Sequence, residues 1–126
     1  MQTKNPYHKY VDNNVHTAPK EELTLMLYDG ALKFANQAIA ALDNKDYVKT
    51  NEFMIRVQDI FRELQLTLNF DYEISNQMNT MYDYIISRSI EGNISKDREI
   101  LNEVRDMARE FRDTWKEAIK LSRMGK

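Results

Sequence analysis

The 126-residue sequence contains no cysteine, only three glycines and two prolines, and no long uninterrupted apolar run. The absence of cysteine excludes a disulfide framework, a thiolate metal site and a cysteine nucleophile. The scarcity of helix-breaking residues, together with 42% apolar and 30% charged residues, favours a mostly helical globular domain. Without about 20 consecutive apolar residues, the sequence predicts no insertion into a membrane. The polar N-terminal stretch MQTKNPYHKYVDNN lacks the apolar segment of a signal peptide, so we expect a cytoplasmic protein.

Charge and histidine content narrow the function classes further. The net charge is −2 and the two signs are interspersed, so there is no basic stripe of the kind that follows nucleic-acid phosphates. The two histidines, His8 and His16, do not belong to the Glu-x-x-His pairs that hold metals in helical bundles. There is also no phosphate-binding glycine loop and no nucleophile paired with a base. The sequence therefore predicts no nucleic-acid partner, no metal, no cofactor and no enzymatic activity.

Four apolar-patterned segments are separated by short polar breaks, which are DNKD after Leu42, NFDYE after Leu68 and EGNISKD after Ile90. Breaks this short place consecutive helices side by side and antiparallel. Residues 1–16 are polar and show no period. We therefore predict an all-α, antiparallel up-down four-helix bundle over residues 17–126, preceded by a short N-terminal arm over residues 1–16. Gly92 is a credible end for the third helix.

The third and fourth predicted helices each carry one clear apolar stripe, as expected for a helix with one buried face. The predicted core residues of the third helix are Ile74, Met78, Met81, Tyr82 and Ile85. Those of the fourth helix are Ile100, Val104, Met107, Ala108, Phe111, Trp115, Ala118 and Ile119.

The first two helices carry more apolar residues than one buried face accommodates. Beyond the core stripe, a second set in the first helix includes Leu25, Tyr28 and Leu32. The corresponding set in the second helix is Val48, Ile55 and Leu66. Either these helices have wide core faces with scattered surface residues, or another chain or the arm covers the second stripes. Gly30 indicates either a close helix crossing or the close approach of a bound backbone.

Four motifs occur in order along the chain: NPYHKYVDNNVHTAP in the arm, EELTLMLYDGALKF in the first helix, MYDYI in the third and EFRDTWKEAI in the fourth. Together they resemble the FliS family, the flagellin-specific export chaperones of bacterial flagellar type III secretion. The resemblance spans almost the whole chain. It implies an antiparallel four-helix bundle that binds the disordered C-terminal segment of flagellin in the cytoplasm. It also implies that the chaperone prevents premature polymerisation and assists delivery of flagellin to the export gate.

The resemblance adds two tyrosines to the candidate site. Tyr7 and Tyr10 match aromatic positions in a family segment that is linked to flagellin binding, and a tyrosine covers apolar surface while its hydroxyl stays hydrated. The predicted flagellin-binding residues are Tyr7, Tyr10, Leu25, Tyr28, Leu32, Val48, Ile55 and Leu66. Two alternatives stay open. The arm tyrosines are incidental, or the protein is a self-associating helical scaffold or an adaptor that does not bind flagellin. The exposed stripes could also pair two copies of the free protein as a homodimer.

Overall fold

The computed structural model describes residues 19–125, which form four α-helices joined by short turns. The helices are α1 (Lys20–Asp43), α2 (Tyr47–Leu66), α3 (Glu73–Ser95) and α4 (Arg98–Met124). Each helix packs against two neighbours in the cyclic order α1, α2, α3, α4, so α1 and α3 lie diagonally across the core.

Ion pairs at both ends of the bundle show that α1 and α4 run antiparallel. Asp43 at the end of α1 pairs with Arg98 at the start of α4, with 2.7 Å between Arg98 Nε and Asp43 Oδ1. At the other end, Glu22 pairs with Arg123 at 3.3 Å. The predicted up-down four-helix bundle is confirmed.

Two aspartates fix the starts of helices. Asp46 accepts a hydrogen bond from the backbone N–H of Lys49 at the start of α2, and Asp97 accepts one from the backbone N–H of Glu99 at the start of α4. Each carboxylate satisfies a first-turn donor that has no partner within the helix, and its charge suits the positive end of the helix dipole. These caps lie at the first and third breaks that the sequence indicated.

The end of α3 differs from the sequence prediction. The helix continues through Gly92 to Ser95, and the chain turns at Lys96, whose φ is 54°. A Cβ at position 92 would lie 2.7 Å from Ile100 Cγ2 and 2.9 Å from Leu101 Cδ1. The prediction that Gly92 ends the helix is therefore wrong, because this glycine allows the start of α4 to approach α3 closely.

All four helices contribute to one core. The residues with no more than 1% exposure include Ala31, Ala35, Ala38, Met54, Val57, Ile60, Phe61, Leu64, Ile85, Leu101, Val104 and Ala108. Alanines at the buried positions of α1 let its neighbours approach its backbone. Gly30 continues this arrangement, because a Cβ there would lie 3.2 Å from Ile60 Cδ1 of α2. Of its two predicted roles, the structure supports the close helix crossing.

Some predicted core residues lie outside the core. Ile74 and Met81 of α3 are exposed, and so is Ala118 of α4. Trp115 packs against the edge of the core and is half-buried. The predicted stripes were too broad on α3 and too long on α4.

The two packed glycines give contrasting stability predictions. We expect Gly92→Ala to lower the free energy of unfolding by about 1–2 kcal/mol, because overpacking outweighs the gain of about 1 kcal/mol in helix propensity. Gly30→Ala is the matched control. Its single close contact is the mobile end of a side chain, so its free energy of unfolding should differ from that of the native protein by less than about 1 kcal/mol. Urea denaturation measures both, and a Gly92→Ala protein as stable as the native one would contradict the packing role.

Candidate partner-binding surfaces

A hydrogen bond between two tyrosines lies within the core. The Tyr28 and Tyr82 hydroxyl oxygens are 2.5 Å apart, and each side chain is 1% exposed. The ring of Phe111 packs against both, with centroid distances of 5.6 Å to Tyr28 and 5.4 Å to Tyr82. Burial raises the pKa of both phenols above the usual value. Both tyrosines are therefore core residues, and each hydroxyl is the hydrogen-bond partner of the other.

The expectation that Tyr28 and Leu32 lie on an exposed second stripe of α1 is wrong, because both are buried. Helix α1 packs between α2 and α4, so its buried arc is wider than one stripe. The polar end of Tyr28 is accommodated by Tyr82, which is 54 residues away in sequence. Neither residue therefore belongs to an exposed apolar stripe of α1.

The second stripe of α2 is exposed, as the sequence predicted. Val48 is 73% exposed, Ile55 is 42% exposed and Leu66 is 80% exposed. Spacings of seven and eleven residues return to nearly the same direction on a helix, so these three side chains form one line along the outer side of α2. The buried side of the helix already fills the core without them.

Two isoleucines of α3 extend this line. Ile90 and Ile94 are exposed, and Ile94 reaches 79%. Asn93 Nδ2 donates a hydrogen bond of 2.7 Å to Asn51 Oδ1, which places the last turns of α3 beside the first turns of α2. Val48 lies one turn before Asn51, and Ile94 directly follows Asn93. We call the resulting surface the α2–α3 face, and it consists of Val48, Ile55, Leu66, Ile90 and Ile94.

Sequence reasoning missed Ile90 and Ile94, because the polar break EGNISKD was placed directly after Ile90 and the helix was predicted to end at Gly92. The available signal was the spacing of four residues, which puts both side chains on one side of a helix that continues.

Leu25 lies on a different surface. It is half-buried in a groove of 640 Å³ between the first turns of α1 and the last turns of α4. Ile119 and Met124 supply further apolar wall, while Glu22 and Lys120 are among the charged lining residues. The structure therefore does not bring Leu25 together with Val48, Ile55 and Leu66.

A second depression opens at the end of the bundle where α2 leads into α3. It has a volume of 370 Å³, and its lining includes Leu68 and Met78 as well as the edges of Tyr28 and Tyr82. Trp115 borders it, and its indole N–H donates a hydrogen bond of 2.7 Å to the backbone carbonyl of Glu21. This bond ties the end of α4 to the start of α1.

Within residues 19–125, no cluster of three or more histidine, aspartate or glutamate side chains is arranged to hold a metal ion. No helix in the same range is long and apolar enough to cross a membrane. Tyr7 and Tyr10 lie outside the described residues. By its fold and surfaces, the protein is a helical bundle with a complete core and additional exposed apolar faces, the class of surface that marks protein–protein interaction sites.

Comparison with known proteins identifies the family. Residues 3–122 match the family model described as flagellar protein FliS. The chain is 46% identical over 123 residues to the flagellar secretion chaperone FliS of Bacillus subtilis (strain 168), covering 98% of this chain and 92% of that protein. It is 28% identical over 119 residues to the flagellar secretion chaperone FliS of Campylobacter jejuni, covering 93% of each.

A third relative is the flagellar secretion chaperone FliS of Escherichia coli (strain K12), with 25% identity over 86% of this chain and 82% of that protein. The chain belongs to the FliS family, and the resemblance of its four motifs is confirmed. Membership of this family of non-enzymatic chaperones supports a role as a flagellar export chaperone.

The tyrosine pair yields a test by double-mutant cycle. We expect Tyr28→Phe and Tyr82→Phe each to lower the free energy of unfolding by about 1–3 kcal/mol, because each leaves one buried hydroxyl without a partner. The double variant removes both hydroxyls and should lose less than the sum. Tyr84→Phe on the surface is the control, with an expected loss below about 1 kcal/mol. Chemical denaturation gives all four values, and additive losses at Tyr28 and Tyr82 would contradict the coupling.

Proposed function

We propose that this protein is a cytoplasmic chaperone that binds the disordered C-terminal segment of flagellin. In this role it prevents premature polymerisation and assists delivery of flagellin to the flagellar type III export gate. Family membership supports the export-chaperone part of the proposal. The observation that carries the binding part is the α2–α3 face, an exposed apolar line on a bundle whose core is complete without it.

The α2–α3 face suits an amphipathic segment. Val48, Ile55 and Leu66 follow one side of α2 at spacings of about two and three turns, so a partner helix that lies along this side can contact them with apolar anchors at matching spacings. Burial of a large aliphatic side chain contributes about 1.5–3 kcal/mol, so a few anchors offset the cost of ordering a disordered tail. Charged residues at the rim contribute less, and we expect binding to depend only weakly on salt.

Leu25 supports a second contact for the same segment. The groove that contains Leu25 lies between α1 and α4, away from the α2–α3 face, so a flagellin segment that used both surfaces would wrap around the bundle. The resemblance of the arm motif adds Tyr7 and Tyr10 to the proposal. Their rings would either contact flagellin or shield the apolar surface of the free protein.

A single surface charge tests the α2–α3 face. We expect Ile55→Asp to weaken binding of the cognate flagellin C-terminal segment by more than about 2 kcal/mol, because a carboxylate cannot enter an apolar interface without desolvation. The bundle should stay folded, since Ile55 is exposed. Calorimetry measures the affinity, and circular dichroism checks the fold. Gln77→Asp, at an exposed position of α3, introduces the same charge and should leave the affinity within about twofold.

Normal binding by a folded Ile55→Asp protein would remove the α2–α3 face from the flagellin site. Sedimentation distinguishes the scaffold alternative, because the same face could pair two copies of the chain. A permanent dimer at low concentration that does not bind the flagellin segment would support the scaffold instead.

A further inference from the structure

Helix α3 carries a second exposed apolar line, on the side that faces α4. Ile74, Met81 and Tyr84 are all exposed, and their spacings of seven and three residues keep them on one side of the helix. On α4, half-buried Met107 borders the same seam. We call this surface the α3–α4 face, and it consists of Ile74, Met81, Tyr84 and Met107. The proposed flagellin site uses a different side of α3, where Ile90 and Ile94 lie.

Two hydrogen bonds fix the register across this seam. The Tyr84 hydroxyl donates to Glu103 Oε2 at 2.6 Å, and Arg88 Nε donates to Glu103 Oε1 at 2.9 Å. Hydrogen bonds from Tyr84 and Arg88 hold the pKa of Glu103 below its usual range, so this carboxylate is charged at neutral pH. The apolar line of α3 therefore lies next to fixed negative charge on α4.

The edge of the α3–α4 face is acidic. A groove of 470 Å³ beside Met107 is lined by Asn102 and by four acids, which are Glu99, Glu103, Asp106 and Glu110. Spacings of four, three and four residues put these acids on one side of α4. Within residues 19–125, the carboxylates of Glu99 and Glu110 form no ion pair.

Three arginines of α4 form ion pairs on the side of the helix that faces α1, away from this edge. Arg98, Arg112 and Arg123 pair with acids of α1. On the α3 side, Arg88 is already paired with Glu91 and Glu103. Arg105 and Arg109 of α4 both pair with Asp106. Within residues 19–125, Glu103 and Asp106 are therefore neutralised, and the charges of Glu99 and Glu110 are available to a partner of opposite sign.

We propose that the α3–α4 face docks a second protein through a basic amphipathic helix, at the same time as flagellin occupies the α2–α3 face. The apolar line accepts the apolar side of that helix, and the acids of α4 pair with lysine or arginine residues along its edge. A second copy of this chain is a poor occupant, because the bases beside this face, Arg88, Arg105 and Arg109, already pair with acids of the same chain and leave none for the acids of a second copy. Positive charge on the partner also speeds association from a distance.

The test uses a labelled synthetic peptide of about 18 residues, five helical turns, with leucine on one side and lysine on the other. Fluorescence anisotropy measures its binding to the full chain. The variant Glu99→Lys/Glu110→Lys should weaken binding at least about tenfold. The control Asp29→Lys/Glu52→Lys makes the same change in net charge at exposed positions of α1 and α2, away from this face, and should weaken binding less than about threefold.

Four results would overturn the proposal. The native protein could fail to bind the lysine–leucine peptide, or bind a glutamate–leucine peptide equally well. The two charge variants could lose affinity equally, which would indicate diffuse attraction by net charge. Glu99→Lys/Glu110→Lys could abolish binding of the flagellin segment, which would make the α3–α4 face part of the flagellin site. We expect flagellin binding by this variant to be unchanged.

Discussion

The hydrogen bond between the Tyr28 and Tyr82 hydroxyls joins two helices that are not neighbours in the bundle. It crosses the core diagonally from α1 to α3, within a cluster that also contains Phe61 and Phe111. Because both hydroxyls are buried and need a partner, the bond fixes how far α1 and α3 are rotated about their own axes. Because Tyr82 is directed inward, the residue before it and the residue eight positions after it are directed away from the core by helical geometry. Those residues are Met81 and Ile90, and they belong to the two exposed faces of α3.

The core and the binding surfaces are separate features of the same helices. Helix α2 buries Met54, Val57 and Phe61 completely, yet it exposes Val48 and Leu66. The exposed residues add nothing to the packing of the interior, so a partner that covers them need not unfold the bundle. In the proposed function, this separation lets the bundle hold a disordered segment on its outside while it stays folded. A charge introduced on an exposed face therefore tests binding with little effect on stability.

Sequence periodicity was sufficient for the number of helices, their antiparallel order and the exposed stripe of α2, since polar breaks and helical spacing are local properties. It was insufficient wherever a distant contact decides the outcome. Tyr28 and Leu32 were predicted to be exposed because they lie outside a single buried stripe of α1. Helix α1 packs against both α2 and α4, so both residues are buried. The Tyr28 hydroxyl is hydrogen-bonded to Tyr82. Gly92 was predicted to end α3 because glycine is common at helix ends. In the structure it lies within the helix, and Ile100 and Leu101 occupy the space that a side chain at position 92 would need. Because the predicted helix ended before Ile94, this residue was not recognised as part of the exposed face.

Methyl NMR of the isotopically labelled chain, titrated with the cognate flagellin C-terminal segment, tests most directly whether the α2–α3 face holds flagellin. The methyl resonances of Val48, Ile55, Ile90 and Ile94 should shift and saturate together with the bound fraction. Those of the buried residues Ile85 and Leu101 should change little, because the core is complete before binding. Saturating binding that leaves Val48, Ile55, Ile90 and Ile94 unshifted would contradict the assignment of this face to flagellin.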